Sequence, residues 1–413
     1  MKLTEYEEAM LAGTFGEPKR IALQQQVQVG RFFDADDLVE VSQAHIMADT
    51  ESLGESGVEF LERLAACPED ERQVAIPTIT DPRGVDQCHY QRLGQQQSWA
   101  FLELRAVAAM RAMGILMTDT CINYQTVQAP VMGQHLAFGD TGVVIYSNSV
   151  CGARSNFEGG PAALAAGLTG RTPRYGYHLD RCRRGTHLFE IDFEPGDLAE
   201  WGALGAIVGH EAGSYWTVPV IDSLSAEPDS DALKHFGAAM ASYGSVPLFH
   251  IVGVTPEAPD RRAVFDGPPP PARRITRTDV ENYRASFGSH DEKVDVVVFA
   301  APQLSLIEMR RAAMLLAGRR VHPDTALLVA TNPEVKAACD RMGLTATIED
   351  AGGIVLSGVC FYQMYAREMG EVNHWKRLLT NSAKLCNIIT GYGYEPVIAS
   401  MERCVEAAVN GKM

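Results

Sequence analysis

The sequence has no apolar run approaching the ~20 residues a membrane-spanning helix needs. Its opening stretch, MKLTEYEEAMLAGTFGEPKR, carries charges throughout and has no apolar centre of the kind a secretory leader requires. Both absences point away from membranes and export, and the cytoplasm is the expected compartment. There is no CxxC pair. The nine cysteines are odd in number and scattered, which excludes a dense disulfide framework; most are expected to be free thiols, a minority ligands. GxGxxG and Walker A loops are missing as well, which removes the usual dinucleotide and nucleoside triphosphate sites. Positive charge is scarce: 36 Lys and Arg stand against 52 Asp and Glu, a net charge of −16. That balance argues against nucleic acid or an anionic membrane as partner.

What is present is ordinary globular material. The chain has 413 residues, 46% of them hydrophobic and 21% charged, enough for two or three domains with real cores. Lys2–Leu11, Asp34–Glu40 and Gly54–Ala66 carry helical apolar spacing. QVAIPTIT reads as a strand ending at the turn DPRG. SWAFLELRAVAAMRAMGILMTDTC reads as a helix stopped by Gly114, then a short strand with Cys121 at its end. Val143–Tyr146 reads as a buried strand, and GGPAALAAGLTG as a helix. DGPPPPARRITRT, residues 266–278, is the clearest linker, since four consecutive prolines favour extended geometry. Beyond it VDVVVFAAP, TALLVAT and GIVLSGVC alternate with helices, and the last of these strands ends at Cys360. This βαβαβ order predicts a parallel sheet. The expected divisions are 1–140, 141–270 and 271–413.

Between strand and helix lies SNSVCGARSNFEGGPAAL, residues 147–164. A thiol, a guanidinium, amides and a carboxylate on a Gly-rich turn suit a site loop, where strand ends and helix N-termini converge. A tight structural turn with an Arg154–Glu158 ion pair is the plainer alternative. Cys121 and Cys360 each close a strand that reads as buried, a placement that suits a cluster in an interdomain cleft better than a zinc knuckle with close-spaced pairs.

The segment NSVCGARSNFEGGPAALAAGLTGRTPRYGYH resembles the signature of the aconitase X family, and HIMADTESLGESGVEFLERLA, TNSAK and PQLSLIEMRRAAMLLAGRRV are similar to other family segments. The resemblance covers nearly the whole chain. It implies an aconitase-like large subunit, three α/β/α domains around an iron–sulfur cluster cleft. The implied activity is that of a dehydratase (hydro-lyase) removing water from a hydroxy-carboxylic compound. Such chemistry needs a Lewis acid on the leaving hydroxyl, a base for the adjacent proton and fixed cations for the carboxylate. Arg154 and Arg171 have planar forks for a carboxylate. Ser155, Asn156, Glu158 and His45 complete the substrate-binding candidates, and His178 lies in a family-like segment without an assigned role. Ser382 and Lys384 are the catalytic candidates.

The chain departs from the family pattern at one point. Where members carry Gly-Cys-Pro-His it reads AAPQ, so Ala301 stands at the position of an expected ligand thiol. Cys121 and Cys360 fit the family's first and last cluster cysteines. Cys151 is taken as the third metal ligand, with Cys404 in reserve on an apolar helix face. The changed ligand set leaves 2Fe–2S, 3Fe–4S and 4Fe–4S clusters open.

The expected substrate is cis-3-hydroxy-L-proline, giving Δ1-pyrroline-2-carboxylate; mevalonate 5-phosphate is the alternative, and a non-catalytic cluster-binding protein or a metal-free binding protein are the readings from other classes. Too few residues follow Cys360 for the swivelling lid that aconitase-type catalysis implies. A small swivelling-domain subunit is therefore expected as a separate chain, in a heterodimer.

Overall fold

The computed structural model describes residues 1–224, 227–288 and 293–413. Its strands fall into three units. The first holds β1 (Leu38–Glu40), β2 (Ala44–Ile46), β3 (Thr78–Thr80), β4 (Ala137–Phe138) and β5 (Arg171–Pro173). β3, β2 and β4 form a parallel sheet in that order, and β1 pairs antiparallel with β5. The second unit holds β6 (His187–Ile191), β7 (Pro219–Asp222), β8 (His250–Ile251) and β9 (Arg273–Ile275), parallel in the order β8-β7-β6-β9. The third holds β10 (Val296–Phe299), β11 (Ala326–Thr331), β12 (Ile354–Ser357), β13 (Arg377–Thr380) and β14 (Glu395–Ile398), parallel in the order β12-β11-β10-β13-β14. Its strands are dominated by Val, Leu, Ile and Phe, as in sheets whose two faces are covered by helices. Among the described residues no helix is long and apolar enough to cross a membrane.

Helix Leu198–Ala212 lies unusually close to helix Ser230–Gly244, and the reason is in the sequence. A Cβ on Gly205 would stand 2.1 Å from the Phe236 carbonyl oxygen, and one on Gly209 would stand 2.5 Å from that of Met240. Glycines spaced by four let the two backbones touch.

Several expectations are corrected. Residues 143–146 form no strand; they belong to helix Thr141–Ser149, whose N-cap Asp140 accepts a hydrogen bond from the Val143 N–H at 3.0 Å. The helix is buried on every side from Gly142 to Ser149, so it lacks the polar face that would have marked it as helical. Leu38–Glu40 is strand, not helix. Cys121 ends no strand: its segment is tied to the first sheet by Leu116 beside Ile79 and by single hydrogen bonds such as the Thr120 N–H to the Thr80 carbonyl, at 3.0 Å. The divisions also move. β5 and helix Pro161–Thr169 pack into the first unit, so that unit continues past residue 140. The proline run leads into β9, which pairs with β6, and so lies inside the second unit rather than at its end.

Candidate active site

The carboxyl ends of the first and third parallel sheets face each other, and the polar residues gather between them. From the first unit come His45 on β2, Asp81 just past β3, Asp140 just past β4, and Cys121. From the third come Cys360 past β12, Lys384 past β13, and Tyr362 and Gln363 on the turn after Cys360. Loops leaving strand ends are where α/β sheets place their chemistry. The Arg83 N–H to the Gly358 carbonyl, at 2.8 Å, ties the two edges together.

Cys121 and Cys360 form the centre. Both are buried free thiols. The neighbouring Cys360 thiol first, and then burial, pushes the Cys121 thiol well above its ordinary value. Around them stand two carboxyls in opposite states. Burial, then the charge of Asp140, pushes Asp81 well up, which favours its neutral form; its Oδ2 accepts from Gln363 Nε2 at 2.8 Å. Burial is the largest influence on Asp140 and acts in the same sense, but the Lys384 charge and hydrogen bond, the Val143 N–H and His45 together overcome it and bring the carboxyl below its ordinary value. The Lys384 ammonium donates to Asp140 Oδ2 at 3.1 Å, and its own value is raised by that carboxylate against burial. The Tyr362 ring lies 5.7 Å from the ammonium. His45 donates from Nε2 to the Thr120 carbonyl at 2.7 Å. Burial lowers its proton affinity, and the neutral ring's Nδ1 has no partner. One neutral and one ionised carboxyl beside a fixed ammonium form a set that can both give and take a proton.

The other candidates lie apart from this centre. Cys151 sits beyond the far end of helix Thr141–Ser149, roughly 16 Å along the axis from Asp140 at 1.5 Å per residue. Its thiol is pushed up to about 11 by burial alone. Ala301, by contrast, is next to the pair, two residues before Gln303, whose N–H points at Cys121 Sγ from 3.4 Å. Cys404 is core, donating to the Ala399 carbonyl.

Arg154 pairs with Asp180 at 2.5 Å and donates to the His178 carbonyl, beside a 230 Å³ surface cavity lined by Asp180, Arg183, His250 and Glu257. The plain Arg154–Glu158 pair is not formed. Glu158 is buried, accepts from Thr172 Oγ1 at 3.1 Å, and is raised by burial to about 7. Arg171 holds Glu7 and Glu40 against the N-terminal helix.

Ser155 and Asn156 spend their side chains on backbone and tyrosine partners: Phe138 N and Asn156 O for Ser155, Tyr177 N, Tyr215 OH and Tyr175 O for Asn156. His178 meets His135 ring to ring, Nδ1 to Nδ1, at 2.9 Å. Ser382 caps helix Ala383–Ile389 and donates to the Ala301 carbonyl at 2.5 Å.

The site therefore brings together His45, Cys121, Cys360 and Lys384 from the sequence candidates. It adds Asp81, Asp140, Tyr362 and Gln363, whose only sequence signal is their place in turns after strands.

Two parallel-sheet units facing each other over a buried pair of thiols, braced by a third, define the class: an α/β enzyme scaffold with its chemistry at facing strand ends. Family models narrow this. Residues 1–181 match the Aconitase X first domain, 185–285 the second and 294–410 the third. The chain belongs to the aconitase X family. It is 35% identical to the phosphomevalonate dehydratase large subunit of Methanothermobacter thermautotrophicus over 94% of each chain. It is 33% identical to the cis-3-hydroxy-L-proline dehydratase of Pseudomonas aeruginosa, covering all of this chain and 70% of that protein. The crystal structure of Thermococcus kodakaraensis aconitase X in its holo form superposes with a TM-score of 0.88 at 29% identity, covering 99% of this chain and 100% of that one.

The family implies an iron–sulfur cluster. Two neighbouring thiols with an unpartnered His45 Nδ1 beside them, whose Nε2 lies 3.5 Å from Asp81 Oδ1, fit a metal-bearing group at that point. The fit extends to two sulfur ligands, Cys121 and Cys360. The third thiol inferred from the sequence, Cys151, does not join them, and among the described residues no cluster of three metal-ligating side chains is formed.

Proposed function

We propose that this chain is the large subunit of a dehydratase, a hydro-lyase that removes water from a small hydroxy-carboxylic substrate between the first and third units. The observation that carries the reading is the buried set of Cys121, Cys360, Asp81, Asp140 and Lys384 at the facing strand ends of a chain whose relatives are named dehydratases. Cys121 and Cys360 would hold the iron–sulfur cluster. When bound, such a group supplies a Lewis acid for the leaving hydroxyl. Lys384 offers the ammonium for the substrate carboxylate. Asp140 keeps that ammonium charged and aimed. Neutral Asp81 holds a proton on its carboxyl for the departing oxygen. Ser382 is spent on the Ala301 carbonyl and the helix N-terminus, so the group that takes the carbon-bound proton is assigned to a small partner subunit. The name "large subunit" in the relatives favours such a partner.

The proposed substrate is cis-3-hydroxy-L-proline. Its C–H bond beside the carboxylate and its C–O bond break, water leaves, and the enamine tautomerises to Δ1-pyrroline-2-carboxylate. The charge of the site favours it over mevalonate 5-phosphate. Lys384 is already matched by Asp140, Arg154 and Arg171 lie elsewhere in ion pairs, and the thiols and carboxyls make the surroundings electron-rich. A zwitterion suits this better than a carboxylate with a phosphate dianion. Phosphomevalonate is the second reading, favoured by the match in length: this chain spans 94% of that relative but 70% of the hydroxyproline enzyme. An anaerobic assay of the chain with its small partner against both compounds tests the choice. Turnover of cis-3-hydroxy-L-proline alone supports it, and turnover of mevalonate 5-phosphate alone replaces it.

A further inference from the structure

Gln303 is fully buried and makes more bonds across unit boundaries than any site residue. Its Oε1 accepts from the Cys121 N–H at 3.2 Å, and its own N–H points at Cys121 Sγ from 3.4 Å. Its Nε2 lies 3.1 Å from the Asp119 carbonyl, 3.2 Å from that of Val359 and 3.4 Å from that of Thr331. Asp119 and Cys121 belong to the first unit. Thr331 closes β11, and Val359 lies two residues past the end of β12 and immediately precedes Cys360. The Gln303 carbonyl accepts from Lys234 of the second unit at 3.3 Å. Lys234 is itself buried and paired with Asp231 and Glu308. The preceding residues are held as firmly: Ala301 sits at φ +56, a region that L-residues rarely adopt, with its carbonyl bonded by Ser382.

We propose that Gln303 is the positioning residue of the cysteine pair: its one amide clamps the Cys121 segment to the strand end that carries Cys360 and so fixes how the two sulfurs face each other. This rests on the reading that Cys121 and Cys360 together hold a metal-bearing group. An amide suits the place, because the same side chain must accept from an N–H on one side and donate to several carbonyls on the other. Partners that orient metal ligands are worth about 10–100-fold in metal affinity.

The test uses the metal-free chain, titrated anaerobically with cobalt(II) and read by the thiolate-to-cobalt absorption band. Gln303→Ala and Gln303→Glu should each weaken binding by about tenfold or more and change the band. Gln303→Glu keeps the shape and the acceptor, and so covers the case in which the alanine variant does not fold. Asn148→Ala, which removes a comparably buried amide bonded to Ser155 and Pro247, is the control for general destabilisation and should bind as the wild type does. Wild-type affinity and band in a folded Gln303 variant, or an equal loss in Asn148→Ala, would overturn the proposal. No thiolate band in the wild-type chain would instead defeat the underlying reading of the cysteine pair.

Discussion

Glu158 is a carboxyl without an ionic partner, enclosed by the motif loop and bonded to Thr172. Burial raises it from an ordinary 4.5 to about 7. The folded state therefore holds its proton over a range where the unfolded chain has released it. Stability from this group is fullest below about pH 4.5 and falls as pH rises toward 7, with a total on the order of 3 kcal/mol. Glu158→Gln should leave the melting temperature unchanged near pH 4 and raise it near pH 8; an equal shift at both ends would refute the buried-carboxyl account. The thiols give a second prediction. Cys121→Ser and Cys360→Ser should each lose iron and visible absorbance after anaerobic purification, whereas Cys151→Ser should keep both. Iron lost in Cys151→Ser would return that residue to the ligand set. At this scale the sequence was only half legible. Cys121 and Cys360 stood out because each followed a short apolar run that reads as buried and because each fits a cluster cysteine of the family. Asp81 and Asp140 did not, because a lone aspartate in a turn looks the same whether it faces solvent or a buried ammonium.

The elements explain how those residues meet. Helix Thr141–Ser149 and helix Ala383–Ile389 bring Asp140 and Lys384 together, one from each unit. The pair is almost wholly buried. Removing one partner strands a charge, at a cost of about 3–5 kcal/mol, while replacing both with apolar groups can be far cheaper. Lys384→Met and Asp140→Leu should each lower stability strongly in urea unfolding, and the double variant should recover much of the loss. Strictly additive losses would show that the two charges do not interact across the units. Three strands of the third sheet, β10, β11 and β12, were legible from their strand-helix alternation, since each apolar run is short and bounded; β13 and β14 were not, because their apolar runs are only two residues long beside polar ones. Helix Thr141–Ser149 was not, because total burial erases the polar stripe that separates a helix from a strand. The proline run misled for a different reason: extended geometry marks a linker, but it also suits the lead into an edge strand such as β9.

At the scale of the whole molecule, two parallel sheets face each other across one polar centre, and the second unit braces it through Lys234. The relatives differ in how they complete this frame. Some are named as large subunits, and the hydroxyproline dehydratase is a longer chain of which this one matches 70%. A lid brought by a partner would exclude water and add the missing base. The chain without its partner should therefore bind iron but turn over substrate at least about a hundredfold more slowly than the two-chain enzyme, given the 10²–10⁴-fold worth of a general base. The most direct measurement is the anaerobic consumption of cis-3-hydroxy-L-proline by the iron-loaded chain with its small partner, alongside Cys360→Ser. The account predicts Δ1-pyrroline-2-carboxylate from the wild-type pair and none from the variant. An iron-loaded pair that dehydrates neither this compound nor mevalonate 5-phosphate would contradict it.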